Sequence, residues 1–217
     1  IGFSGHEYGP LDLSYCMSKK NMQKYIKEVN SLKAKYKDKI QVYLGIERDY
    51  YSVKTHYEFD YIIGSFHEFK KHFLRIPIDA SPKIMEFVVK RYFHNDYMEY
   101  VKAYYEGIKD VVRGTNADIV GHFDLVTKFN ENNKYFDETS EEYKKIALEA
   151  LETVASGKPI FEINTGAMAR GFRTRPYPDM FLIDRIKELG CKLILTSDCH
   201  DKNNLDYEFD KFKKLIV

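Results

Sequence analysis

The chain has 217 residues, 44% of them hydrophobic and 31% charged, with a formal net charge of +1. That length suits a single domain over residues 1–217 with a sizeable core rich in Phe and Tyr. The charge balance argues against a nucleic-acid partner, and no apolar stretch approaches the length that crosses a bilayer. Cys16, Cys191 and Cys199 are odd in number and lack CxxC spacing, so they read as reduced thiols in a cytoplasmic protein. No signal peptide is visible. There is no initiator Met, and Ile1 opens in what reads as mid-strand, so the chain is expected to be cut at its start.

Short apolar runs and amphipathic segments alternate along the chain. Ile1–Phe3 reads as the tail of a strand and is followed by Ser4, Gly5 and His6. Lys19–Tyr36 has helical period, with Met22, Tyr25, Ile26, Val29, Leu32 and Tyr36 on one face. Ile40–Ile46 reads as a strand followed by Glu47, and Tyr61–Phe66 as a strand followed by His67. Residues 70–90 lack a clear period and are expected to form a long loop or an excursion with short helices. Asp96–Val112 predicts a helix. Ala117–Val120 predicts a strand, followed by Gly121 and His122, and residues 128–134 (KFNENNK) a polar loop. Ser140–Ser156 predicts a helix with a capping box from Thr139 to Glu142 and a stop at Gly157. Pro159–Ile163 predicts a strand followed by Asn164, and Pro178–Gly190 a helix opening on its proline. Lys192–Leu195 predicts a strand running into Thr196, Ser197, Asp198, Cys199 and His200. A last helix is expected over Leu205–Leu215.

The strands are apolar without strict alternation, as strands covered on both faces are. Strand–helix alternation then predicts an α/β fold with parallel strands. GxGxxG and GxxxxGK[ST] are absent, which removes support for a nucleotide-binding sheet. Nearly every predicted strand ends on a group of the metal-ligand type, and in a parallel barrel those ends share one face. Imidazole and carboxylate suit zinc, manganese and iron. An extended chain at Asp198 and His200 would point both side chains the same way. Each residue has a plainer reading: a hydrogen-bonded loop histidine, a surface acid at Glu47 beside Arg48, a turn cap at Asp124, a helix cap at Asp198. Their joint position at strand ends is what favours ligation. His56, His72 and His94 sit in polar or helical contexts and are read as ordinary residues.

The segments GHEYG (5–9), GIERDY (45–50), DYIIGSFHEF (60–69), ADIVGHFDLVTKF (117–129), EINTGAMARGFRTRPYP (162–178) and LTSDCH (195–200) together resemble the polymerase and histidinol phosphatase (PHP) family. The similarity is greatest to its histidinol-phosphate phosphatase branch. The resemblance implies a distorted (β/α)7 TIM-like barrel with two to three divalent ions. Glu47 would be shared between two ions, one taking Asp198 and the other His67 and His122. His6 and His200 would serve a third. The family opens on a strand carrying HxH, which this sequence lacks, and the chain ends sooner after SDxH than family members do. The first strand is therefore expected upstream of Ile1, and the domain incomplete at both ends.

The implied reaction is attack of a metal-activated water on a phosphate monoester, L-histidinol phosphate being the expected small-molecule substrate. Asp198 or His200 would aid departure of the alcohol. Arg170, Arg173 and Arg175 would bind phosphate, in that order of match, and Asn164 would orient a ligand or close the site floor. The alternatives are a phosphodiesterase or nuclease, a protein-tyrosine phosphatase, a non-catalytic metal-binding domain, or an amide hydrolase. The last would want a lysine at a strand end.

Overall fold

The computed structural model describes residues 1–9, 15–71 and 74–216. Among these, the strands are β1 (Gly2–His6), β2 (Tyr43–Asp49), β3 (Tyr61–Ser65), β4 (Glu68–Lys71), β5 (Leu74–Pro77), β6 (Ile119–Val120), β7 (Ile160–Asn164) and β8 (Lys192–Thr196). The α-helices are α1 (Lys19–Tyr36), α2 (Pro82–Tyr92), α3 (Tyr97–Ile108), α4 (Val111–Thr115), α5 (Glu141–Ala155), α6 (Gly166–Ala169), α7 (Met180–Glu188) and α8 (Phe209–Phe212). The chain divides into two compact units. One holds residues 1–66 and 111–120, the other residues 67–110 and 121–217.

In the first unit β1, β2, β3 and β6 pair in parallel. β2 is buried along nearly its whole length, which is why its apolar residues do not alternate with polar ones. Helix α1 starts on Ser18, whose hydroxyl accepts Asn21 N–H at 3.2 Å. Its Val29 packs with Val42 and Leu44, and Tyr25, Ile26, Leu32 and Tyr36 close over them. The ring of Tyr61 lies against the backbone at Gly2 of β1 and Gly45 of β2. A Cβ at Gly45 would come within 2.2 Å of that ring, so the strand needs glycine there.

In the second unit β7 and β8 pair in parallel, and β4 and β5 form an antiparallel hairpin. Helices α3, α5 and α7 pack in succession. Tyr100, Tyr104, Tyr105 and Tyr143 are fully buried among them, and the Tyr105 and Tyr143 hydroxyls meet at 2.9 Å. Ile163, Ile183 and Phe212 form a smaller cluster flanked by Leu193 and Leu195 of β8.

The structure departs from the sequence expectations at several places. β2 begins at Tyr43 rather than Ile40 and runs on to Asp49, so Glu47 lies inside a strand. Ile40 is instead half exposed, in the turn after α1. The excursion at 70–90 contains the hairpin except for its first two residues, Glu68 and Phe69, and all but the last two residues of α2. Ser81 at the cap, Pro82 and buried Met85, Val88 and Val89 mark that helix in the sequence. The helix expected over Asp96–Val112 is split at Lys109–Asp110 into α3 and α4. Helix α5 is capped by Ser140, which accepts Tyr143 N–H at 3.2 Å, not by Thr139. Thr139 is bound to Asp137 through both its hydroxyl and its N–H. The helix expected over Leu205–Leu215 is a single turn, α8, with 3₁₀ turns before and after it. Glu208 takes a left-handed φ of 59°, which a continuing helix cannot accommodate.

Candidate metal centre and anion site

His6 and Glu47 are register partners on neighbouring parallel strands, so their side chains rise on the same face. His6 Nε2 lies 3.5 Å from Glu47 Oε2. Glu47 Oε1 accepts the Ser65 hydroxyl at 2.8 Å, which fixes the carboxylate against the end of β3. The next residue in each case, Glu7 just past β1 and Arg48 on β2, faces the other way, and the two form a buried ion pair. Glu7 also accepts the N–H and hydroxyl of Thr55 at 3.0 and 2.7 Å, and Arg48 donates to Thr115 O at 2.8 Å. Glu47 is therefore not a surface acid beside Arg48. Both are buried, on opposite faces of β2.

In the second unit His67 Nε2 and His122 Nε2 are 3.2 Å apart, both rings buried. Two ligands of a tetrahedral zinc ion, each about 2.0–2.1 Å from the metal, stand about 3.3 Å apart. The His67–His122 and His6–Glu47 spacings, 3.2 and 3.5 Å, are close to that separation. His122 N–H donates to Glu162 Oε1 at 2.6 Å. Burial, partly offset by His122 and these hydrogen bonds, raises the pKa of Glu162.

β8 ends at Thr196, and Asp198 takes a left-handed φ of 41°, so the chain is not extended there as expected. Asp198 Oδ1 and His200 Nε2 nonetheless lie 3.3 Å apart, with the His200 side chain 65% exposed. Arg170 donates to Asp198 Oδ2 at 2.8 Å and to its carbonyl at 2.7 Å. A Cβ at Gly166 would sit 2.8 Å from both Asp198 Cβ and Ser197 O, so α6 must open on glycine to let this segment approach.

The other two arginines face elsewhere. Arg173 is buried and grips both oxygens of Glu138 at 2.8 Å while donating to Thr127 O at 2.9 Å. Arg175 reaches Glu138 at 3.1 Å and pairs with Asp179. Asn164 spans a turn, donating to Glu162 at 2.8 Å and accepting Gly166 N–H at 2.8 Å. Asp124 does not cap the turn after His122. It is fully buried and accepts Asp179 N–H at 2.9 Å, and burial pushes its pKa up to about 7. His56 and His94 lie in irregular segments, and His72 lies outside the described residues. Cys16, Cys191 and Cys199 are not in disulfides.

The sequence reading missed Glu7 and Glu162. For Glu162 the signal was present: it stands two residues before Asn164 on a strand and so faces the same way. For Glu7 nothing local announces its partner, 41 residues along the chain.

Among the described residues no helix is long and apolar enough to cross a membrane. The family model described as PHP domain matches residues 1–166. A Schizosaccharomyces pombe protein named "Probable histidinol-phosphatase" is 28% identical over 207 residues, covering 91% of this chain and 66% of its own length. The chain thus spans just under two thirds of that relative. A crystal structure of a Listeria monocytogenes protein named "putative histidinol phosphatase hisK" superposes with a TM-score of 0.81 at 20% identity, covering 97% of this chain and 88% of that one. The Lactococcus lactis histidinol phosphate phosphatase, solved with zinc, L-histidinol and phosphate, gives a TM-score of 0.65 at 23% identity over 99% of this chain and 81% of that one. These likenesses bear out the α/β, TIM-like barrel fold class.

Proposed function

Because the chain belongs to the PHP domain family, we propose that it carries a divalent-metal phosphatase site whose substrate is L-histidinol phosphate. The observation that carries the reading is the 3.2 Å approach of the His67 and His122 ring nitrogens, at the positions where the family resemblance puts ligands. His6, Glu47, His67, His122, Asp198 and His200 are the proposed ligands for two to three ions, with zinc, manganese and iron all suited to nitrogen and oxygen donors. When bound, such ions lower the pKa of water and offset the charge of a phosphoryl group.

The chain's own residues supply the rest. A guanidinium carries five N–H donors, and Asp198 engages Arg170 through two contacts, so Arg170 can hold Asp198 and a phosphate oxygen together. Asp198 and His200 stand 3.3 Å apart beside Arg170, and either would hold the proton that the departing alcohol oxygen takes up. Asn164 supports the β7–α6 turn that presents Arg170. Arg173 and Arg175 act at one remove, by tying the loop that follows Arg170 to Glu138.

The test is His122→Ala in the full chain, with metal content measured after purification without added metal. Loss of bound metal and of histidinol-phosphate turnover, with an unchanged far-UV spectrum, is the expected result. Retained turnover would overturn the site. Parallel assays with a dinucleotide and phosphotyrosine decide the substrate class, and faster hydrolysis of either would overturn the histidinol-phosphate reading.

A further inference from the structure

Glu162 is 3% exposed and has no arginine or lysine partner among its hydrogen bonds. Oε1 accepts the His122 N–H at 2.6 Å and the Asn164 amide at 2.8 Å, and Oε2 accepts the Thr196 hydroxyl at 2.7 Å. The three donors stand at three strand ends: His122 just past β6, Asn164 closing β7, Thr196 closing β8. A carboxylate accepts at both ends, whereas a glutamine that kept its oxygen on the two N–H groups would turn its amide toward Thr196 and force that hydroxyl to accept instead of donate. A buried carboxylate is costly to keep, and here its cost is offset by three donors that an apolar side chain would leave without this acceptor. The acid is therefore explained by what it holds.

We propose that Glu162 is a positioning residue that sets His122 and the run from Thr196 to Asp198 in the geometry required to bind the cation. The inference rests on the reading of His122 and Asp198 as metal ligands. Asn164 carries the effect onward, because its other end accepts Gly166 N–H, and Gly166 is the residue against which Asp198 packs. Glu162 touches neither substrate nor metal. It acts through the backbone of one ligand and the flanks of another, as partners behind metal ligands do.

The experiment uses the full chain stripped with a chelator and titrated with Zn²⁺ against a chromophoric competitor, with Co²⁺ absorption as a second readout. Glu162→Gln is expected to weaken zinc binding about 10- to 100-fold, to alter the cobalt spectrum, and to lower kcat with KM little changed. Thr196→Val, which removes one of the three hydrogen bonds, should weaken zinc several-fold, and Thr196→Ser, which keeps the hydroxyl, should restore it. This second pair keeps the test open if Glu162→Gln fails to fold. A Glu162→Gln protein that melts earlier without metal yet binds zinc as tightly, with an unchanged cobalt spectrum, would overturn the inference by showing a structural role alone. If the unaltered chain binds neither ion, the metal reading falls first and this inference with it.

Discussion

Arg170, Arg173 and Arg175 lie within six residues of one another, and their surroundings give them different work. Arg173 holds both oxygens of Glu138 where neither side chain reaches water. Removing one partner of such a pair leaves an uncompensated buried charge, at a cost of about 3–5 kcal/mol. Arg175 still reaches Glu138 at 3.1 Å, which places Arg173→Met at the lower end of that range. Arg170 is partly exposed and bound to Asp198, so Arg170→Met should cost under about 1 kcal/mol in stability. Its expected effect is instead a higher KM for the phosphoester and weaker inhibition by inorganic phosphate. Urea melts and steady-state kinetics on the two variants check the contrast. The reverse pattern, with Arg173 controlling KM and Arg170 controlling the midpoint, would reassign the anion site. The sequence ranks the three by position in the loop, and it carries no sign of the buried Glu138 that occupies two of them.

At the scale of elements, the parts most legible in the sequence are those whose signal is local. Helix α1 shows an apolar face and a serine cap, and its observed bounds are the expected ones, Lys19–Tyr36. Helix α5 was legible as a helix, while its cap was not, because Thr139 and Ser140 are both good caps. Which one serves depends on Asp137, whose side chain takes Thr139. Ser140→Ala should therefore destabilise the chain by about 1 kcal/mol through loss of the Tyr143 N–H partner, seen as a lowered thermal midpoint. An unchanged midpoint would show that the cap bond contributes nothing. The loop entering β3 holds a smaller, pH-sensitive element. Asp60 accepts Lys33 at 2.5 Å and Leu44 N–H at 2.6 Å, and the lysine and then the backbone bond hold its pKa below the usual value against a modest burial penalty. A depressed carboxylate stabilises the fold above its ordinary pKa, and that contribution is lost as pH falls through the lower folded value. The pair is about one-third exposed, so Asp60→Asn should cost less than about 1 kcal/mol at neutral pH. The difference from the unaltered chain should shrink as pH falls through the lowered folded pKa and vanish once Asp60 is protonated in both the folded and unfolded states. A deficit that persists in acid would mean that the loss comes from packing rather than from charge.

Across the whole molecule, the α/β class and the strand ends that carry ligand-type groups were readable, because buried parallel strands leave apolar runs and chemistry collects where they stop. The Glu7–Arg48 pair and the reach of Glu162 to the His122 N–H were not, since each joins residues about 40 positions apart, and sequence spacing shows no partner at that range; only the face that Glu162 shares with Asn164 was legible. The division into two units was equally hidden, as the first unit is completed by residues 111–120, far down the chain. A cation that binds the native chain and not the unfolded one stabilises it by RT ln(1 + [L]/Kd), about 2.7 kcal/mol at a hundredfold excess over Kd. For a chain of this length, each kcal/mol raises the melting midpoint by about 2–4 °C. Adding Zn²⁺ to chelator-treated protein should thus raise the midpoint by about 5–10 °C, and the rise should grow with the logarithm of zinc concentration. His6→Ala and His122→Ala should each reduce that rise, read by differential scanning calorimetry. A midpoint indifferent to chelation and to zinc would mean that these imidazoles and carboxylates are held together by hydrogen bonds alone, and the phosphatase reading would lose its physical basis.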